Sequence, residues 1–368
     1  MDLRGQGIEA IKAMGLLDEV RAHLVDERGV AFINGKGRPL ATIMANTSGK
    51  GRQTLTSEYE IMRGDLVRIL HDATKDDVEY RFGVSVDGYD QHADHVTAHF
   101  SDGTSEEYDI LVGAGGQGSR VRRAMLPADA DPYWRTGIHM AYWFIPRIAS
   151  DGDVRDTYMV PGGRQIMRRS HNPQETQVYF VLRETSAEAS AIHRKPVEEQ
   201  QRFWADRFHD AGWQTPRFVK GMADAPFFYS QEVMQVRTDT WSKGRVVLVG
   251  DAAHCASPYS GMGVSGSLVG AYVLAGEITA SPSDLPSAFA RYDAVLRPFV
   301  DEIQALVKPT ILKLGLPRRR ASIIAFQAVT AVACALRIPE FVARFSSDDR
   351  GGDWTLPKCQ TVHPPLVR

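Results

Sequence analysis

The stretch from Gly244 to Gly263 constrains the fold more than any other part of this 368-residue chain. It opens with an unbroken apolar run at 245–249, the pattern of a strand covered on both faces in a parallel sheet. Gly250-Asp251 follows at once, so Asp251 is expected at the carboxyl edge of that strand, where open α/β sheets receive their ligands. A carboxylate at that edge accepts hydrogen bonds from sugar-like hydroxyls. Ser257-Pro258-Tyr259-Ser260-Gly261-Met262-Gly263 then leads into an apolar, small-residue helix predicted over 264–278. Its first turn collects unpaired backbone N–H groups and the positive dipole end at one point, which suits developing negative charge on a ligand.

A second glycine motif is less informative than it looks. Gly113-Ala114-Gly115-Gly116-Gln117-Gly118 satisfies the dinucleotide fingerprint letter for letter, between a predicted strand at 108–112 and a helix at 119–125. That fingerprint also needs a full helix and a second strand ended by an acidic residue about 20 positions on. Here Pro127 and Pro132 cut the helix short, and Asp129 and Asp131 fall in the loop between them. A primary NAD-binding reading is therefore set aside. The plain alternative is a strand-to-helix turn that lets another segment approach closely.

Elsewhere the patterning divides the chain. Ile8, Ile11 and Met14 share a helical face and Gly15 stops the helix, while 30–33 and 40–44 flank a turn-rich Asn34-to-Pro39 connection that predicts a hairpin. Residues 64–73 read as a helix, and 78–86, 96–100 and 108–112 as strands. Between 136 and 241 the character changes to long strand-like runs at 136–145, 156–160, 165–169 and 177–183, interrupted by one helix that Pro196 opens. The return to strand then helix after Gly244 implies an α/β fold, a doubly wound domain interleaved with an antiparallel-sheet domain and followed by C-terminal helices. The expected division is 1–28, 56–127 and 241–285 for the first domain, 29–55 and 128–240 for the second, and 286–368 for a helical end.

Asp251 and the Pro258-to-Gly263 loop resemble the flavoprotein monooxygenases of the para-hydroxybenzoate hydroxylase type, including the tetracycline-inactivating and polyketide-tailoring branch. The resemblance implies that Asp251 binds the ribityl chain of FAD, and that Pro258, Gly261, Met262 and Gly263 lie against the isoalloxazine ring at the helix end. Met62-Arg63-Gly64-Asp65-Leu66 is similar to the family's second flavin contact, with Arg63 opening a helix and reaching the ribityl and phosphate groups. Tyr108 to Ala114 and Ser119 to Arg122 resemble the strand and helix around the middle motif, linked to FAD and NAD(P)H, and the likeness extends from Asp2 to about Arg297. It implies hydroxylation of a small aromatic or polyketide-like substrate with NAD(P)H and dioxygen. The flavin supplies the reactive C4a-hydroperoxide, so no protein group is assigned as catalytic. Gly115-Gly116 stands where the family has Asp-Gly, and the family's opening βαβ unit with its GxGxxG turn, ~30 residues that cradle the pyrophosphate, has no counterpart before Met1. Either the natural start lies upstream or the chain is a homologue that binds FAD poorly, even a non-enzymatic one; the intact remainder of the flavin site favours the first.

Bulk properties remove other classes. Forty-three Lys and Arg against 45 Asp and Glu give a net charge of −2, which argues against nucleic acid. Cys255, Cys334 and Cys359 lack metal-ligand spacing, so no disulfide framework or metal site is expected, and a cytoplasmic setting is the reading. No secretory signal is visible, and the apolar 323–336 segment is shorter than the ~20 residues of a membrane span. Arg318-Arg319-Arg320, the one tight basic run, reads as a solvated loop. His254 and Cys255 are expected on an extended segment, pointing apart and structural. Trp143-Phe144-Ile145-Pro146 resembles half of a flavin-dependent halogenase signature, but Ala141 replaces its first Trp. His139, Tyr142, Trp143, Tyr158, Met159, Met167, Tyr179 and Phe180 are spread over the predicted antiparallel strands. Alternation sends roughly half of them to each face without saying which half.

Overall fold

The computed structural model describes residues 1–25, 27–45, 59–338 and 353–358. Val246–Leu248, buried throughout, pairs in parallel with Leu111–Gly113, and Ser242–Lys243 adds a short antiparallel edge. Helices Gln6–Ala13, Arg63–Asp72, Gly263–Ala280 and Leu285–Ala305 share one core with this sheet through Ile11, Leu66, Val247, Val269 and Phe299. Gly7 permits the crossing of the first and third: a Cβ there would sit 2.5 Å from the Ser265 side chain.

A separate meander holds Val86–Gln91, Val96–Phe100 and Ser105–Tyr108. The strand expected at 78–86 forms only from Val86 onward. Tyr80 instead bonds to the Thr74 hydroxyl at 2.5 Å and packs on His71, and Gly83 (φ 78°) takes the chain out of the extended region. The run expected at 108–112 is likewise split, since Tyr108 ends the meander and Leu111 begins the parallel pair.

The long strand-like runs build a seven-stranded sheet in the order Phe228–Val236, Tyr133–Pro146, Glu175–Arg183, Arg164–Ser170, Arg155–Val160, Gly29–Ile33, Pro39–Met44. Every neighbouring pair is antiparallel except Gly29–Ile33 with Arg155–Val160. One face carries Trp143, Ile145, Val178 and Phe180 into a core with Val197–Phe208, the helix after Pro196, and with Thr215–Ala223. The latter and Ala187–Ala191 are helices beyond the single one expected; Phe218 and Met222, four residues apart, anchor the first of them. Arg320–Ala335, within which the apolar 323–336 segment largely falls, packs Ile323 and Phe326 against Phe32, the two rings 5.6 Å apart. No described helix is long and apolar enough to cross a membrane. Cys255 and Cys334 are free thiols, and Cys359 lies outside the described residues.

Candidate functional site

Asp251 stands where the parallel strand gives way to a helical turn. Strand pairing stops at Leu248, and Gly250 at φ 62° redirects the chain so that Asp251–His254 is helical, with the Ala253 and His254 amides donating to Gly250 O at 2.9 Å each. Asp251 thus opens a helix rather than ending the strand, and His254 is helical rather than extended. Arg122, fully buried, fixes this turn from below: it donates to Ala252 O at 2.9 Å, to Gln117 O and to the Tyr133 hydroxyl at 2.6 Å. The Gly113-to-Gly118 motif serves the same close packing, since a Cβ on Gly113 would lie 2.7 Å from Leu248 and 2.9 Å from Val121.

Burial raises the Asp251 carboxyl above its ordinary value, against the opposing effects of the Cys255 thiol and the Arg63 guanidinium, and no cation among the described residues lies within ion-pair distance of it. Arg63 opens helix Arg63–Asp72 and is exposed. Neither acid beside it in sequence is its partner: Asp65 pairs with Arg68 at 2.8 Å, and Glu60 with buried Arg169. The field of Arg63 instead acts on Asp251, Tyr142 and Tyr229, so tertiary structure gathers four groups that are far apart in sequence.

The Ser257-to-Gly263 loop follows the Asp251–His254 turn in the chain. Gly261 is left-handed (φ 68°), Pro258 is exposed, Met262 is buried, and helix Gly263–Ala280 begins with no side-chain cap on its first turn. A Cβ on Gly263 would meet open space. The face of the large sheet opposite Trp143 and Phe180 presents Tyr229, Tyr142 and Tyr179 on three adjacent strands, with ring centroids 5.2 and 5.6 Å apart. Phe144, Phe227 and His171 extend this aromatic row. Burial pushes the Tyr142 and Tyr229 phenols up from 10, and Tyr179, whose hydroxyl donates to Gln177 Oε1 at 2.6 Å, up to about 12. All three phenols are therefore protonated donors at neutral pH.

His254 and Cys255 do not join the group. Burial holds His254 down at about 4 between Trp241 and Tyr292, and burial followed by Asp251 pushes the Cys255 thiol up to about 12, so neither is a nucleophile. Of the site's polar residues, the sequence reading named Tyr142 and Tyr179 without assigning their face, and it missed Tyr229 as a member and Arg122 as the support of the Asp251 turn. Strand parity carried a signal for the tyrosines but could not say which face turns inward.

The sequence profile of the FAD binding domain family matches residues 3–283. An FAD-dependent monooxygenase of Sarocladium schorii is 32% identical over 378 residues, covering 97% of this chain and 86% of that protein. The tetracycline destructase Tet(51) structure is 28% identical and superposes with a TM-score of 0.77, covering 98% of this chain and 88% of that one. A Klebsiella pneumoniae HpxO variant complexed with FAD shares the fold at 18% identity, with a TM-score of 0.69 over 92% of this chain and 87% of that one.

Proposed function

The chain belongs to the FAD binding domain family and is an FAD-dependent monooxygenase, and from that premise we propose that it hydroxylates an aromatic or polyketide-like small molecule, using NAD(P)H as reductant and dioxygen as co-substrate. The observation that carries this reading is the grouping of Asp251, Arg63, Tyr142 and Tyr229 within reach of one another's charge, in a chain whose helix Gly263–Ala280 starts uncapped.

The residues fit the cofactor on two counts. Asp251 is an acceptor with no cation partner among the described residues, held where burial disfavours its charge until hydroxyl donors reach it. The first turn of Gly263–Ala280 lacks a side-chain cap and keeps open space at Gly263. Bound FAD supplies the redox chemistry, taking a hydride from the nicotinamide and activating dioxygen. Asp251 accepts hydrogen bonds from the ribityl hydroxyls, and Arg63 offsets phosphate charge. The amides after Met262 would face the ring system and offer it backbone N–H donors and a positive helix end. The rings of Tyr142, Tyr179 and Tyr229 offer a flat wall to a planar substrate, with the Tyr142 hydroxyl as the hydrogen-bond donor because those of Tyr179 and Tyr229 donate to Gln177 and Gln231, and the sheet that carries them excludes water. No side chain is assigned as acid, base or nucleophile.

On this reading 1–28, 56–127 and 241–285 hold the cofactor, 29–55 and 128–240 cover the substrate, and 286–368 is a C-terminal helical segment. Residues 26, 46–58, 339–352 and 359–368 of that division lie outside the described ones. Product analysis under labelled dioxygen, with a panel of phenolic and polyketide compounds, tests the proposal. One labelled oxygen atom per product is expected; dehydrogenated or halogenated products without label would refute it.

A further inference from the structure

At the opposite end of the tyrosine-bearing sheet face, a cavity of about 290 Å³ opens between the sheet and helix Pro309–Gly315. Three of its cations, Arg183, Lys313 and Arg318, have no carboxylate within 4.0 Å among the described residues, and no acid lines the cavity. Arg135, the fourth, is engaged by Asp131 at 2.7 Å.

The two arginines are held together by the fold. Gly162 N donates to Arg318 O at 2.9 Å and Arg183 N donates to Gly163 O at 2.8 Å, so both residues are tied to the same Gly162-Gly163 turn. A Cβ on Gly163 would lie 3.2 Å from the Arg183 side chain and 3.4 Å from that of Arg318. Their own donors are poorly used: Arg183 Nη1 reaches Lys313 O and Arg318 Nη2 reaches Arg183 O, each at 3.4 Å, and Arg183 Nε is buried without any acceptor. Burial and the neighbouring Arg318 both lower the Arg183 pKa, as expected of a cation short of countercharge. Two guanidinium forks and an ammonium converging without an acid are the donor set that a tetrahedral oxyanion satisfies. The Thr185 side chain and the Trp134 ring, which carries Arg237 at 4.9 Å, complete the walls.

We propose that this cavity is a second ligand site, which binds a phosphate or phosphate monoester through Arg183, Arg318 and Lys313. It is separate from the flavin site. Thr136 lies six residues along its strand from Tyr142, roughly 20 Å at ~3.3 Å per residue, and Ile138, Val181, Val233, Leu312 and Leu316 fill the space between.

Flavin-loaded protein titrated calorimetrically with inorganic phosphate and with AMP gives the test, alongside R183Q, R318Q and T185V. Arg318 is exposed, so R318Q keeps the fold and serves as the reference variant. Saturable binding of at least one probe is expected with the visible flavin spectrum unchanged. Either arginine substitution should raise Kd roughly tenfold, the loss of one charge-assisted bond, and Thr185→Val less. The melting temperature of the wild type should rise with probe concentration, as mass action requires, and that of R318Q should rise less. Absence of saturable binding, equal affinity in wild type and R318Q, or binding accompanied by flavin release would each overturn the proposal.

Discussion

Replacing Asp251 by Asn separates a ligand role from a structural one, because the two readings predict opposite signs. The carboxyl pKa is raised by burial in the flavin-free protein, so the charged form is disfavoured in the folded state. A raised carboxyl pKa means that stability falls as pH rises from the unfolded value of 3.8 through the folded one, and the penalty is in place at neutral pH. Asp251→Asn removes that penalty, and no ion pair among the described residues is lost with it. Flavin-free Asp251→Asn should therefore melt at or above the wild-type temperature. Flavin binding should move the other way. A charge-assisted hydrogen bond contributes roughly 1.5–3 kcal/mol, and at ~1.4 kcal/mol per tenfold its loss weakens binding between about ten- and one-hundred-fold. Asn keeps one acceptor oxygen and belongs at the lower limit; Asp251→Ala belongs at the upper. Arg63→Ala should weaken FAD comparably without changing the apoprotein melt, since Arg63 is exposed. Fluorescence titration of FAD into apoprotein, with thermal melts of the same samples, reads both quantities. Unchanged affinity with a lowered melting temperature in Asp251→Asn would show that the carboxylate serves the fold, and the proposed cofactor site would lose its anchor.

Three further outcomes are expected. Arg122→Met takes the buried donor from Ala252 O, whereas Gln117 O still accepts from the Tyr133 hydroxyl at 3.1 Å, and at roughly 1–3 kcal/mol per unsatisfied group chemical denaturation should show a loss of about 1–3 kcal/mol. Tyr142→Phe and Tyr229→Phe should raise KM and the fraction of NAD(P)H oxidised without product, while FAD affinity stays within about twofold; a hundredfold loss of FAD would place these phenols on the cofactor. His193 bridges His139 Nδ1 at 2.8 Å and the Ser230 hydroxyl at 2.7 Å, and burial holds both His193 and His254 down at about 4. The unfolded chain takes up these protons below 6.5 and the folded one does not, so stability is full above pH 6.5 and falls as pH drops towards 4. The loss is up to roughly 3 kcal/mol for fully buried His254 at ~1.36 kcal/mol per unit, and urea midpoints between pH 7 and 4.5 should fall less steeply in His193→Gln.

Local sequence alone determined a good deal here. The apolar run before Gly250, the acid after it and the small-residue helix beyond Gly263 each follow from neighbours a few positions away, so strand, turn and helix were legible from sequence. The helix that Arg63 opens was legible for the same reason. Local pattern failed where two states share one pattern. Val78, Tyr80 and Phe82 alternate like a strand, yet no neighbouring strand takes up residues 78–85, and a strand without a partner leaves its backbone groups unpaired. Asp251 could be read as a strand end because nothing in its own stretch reports that Gly250 turns left-handed above Ser267. Only the tertiary structure decided which residues meet. Alternation along 133–146 gives two faces, and the packing of Phe203, Trp204 and Phe208 on one of them sends Trp143 into that core and Tyr142 to the other side. The approach of Arg63 to Asp251, 188 positions apart in sequence, and the crowding of Arg183 against Arg318 depend on how separate elements pack, and packing between distant elements is written in no short stretch of chain.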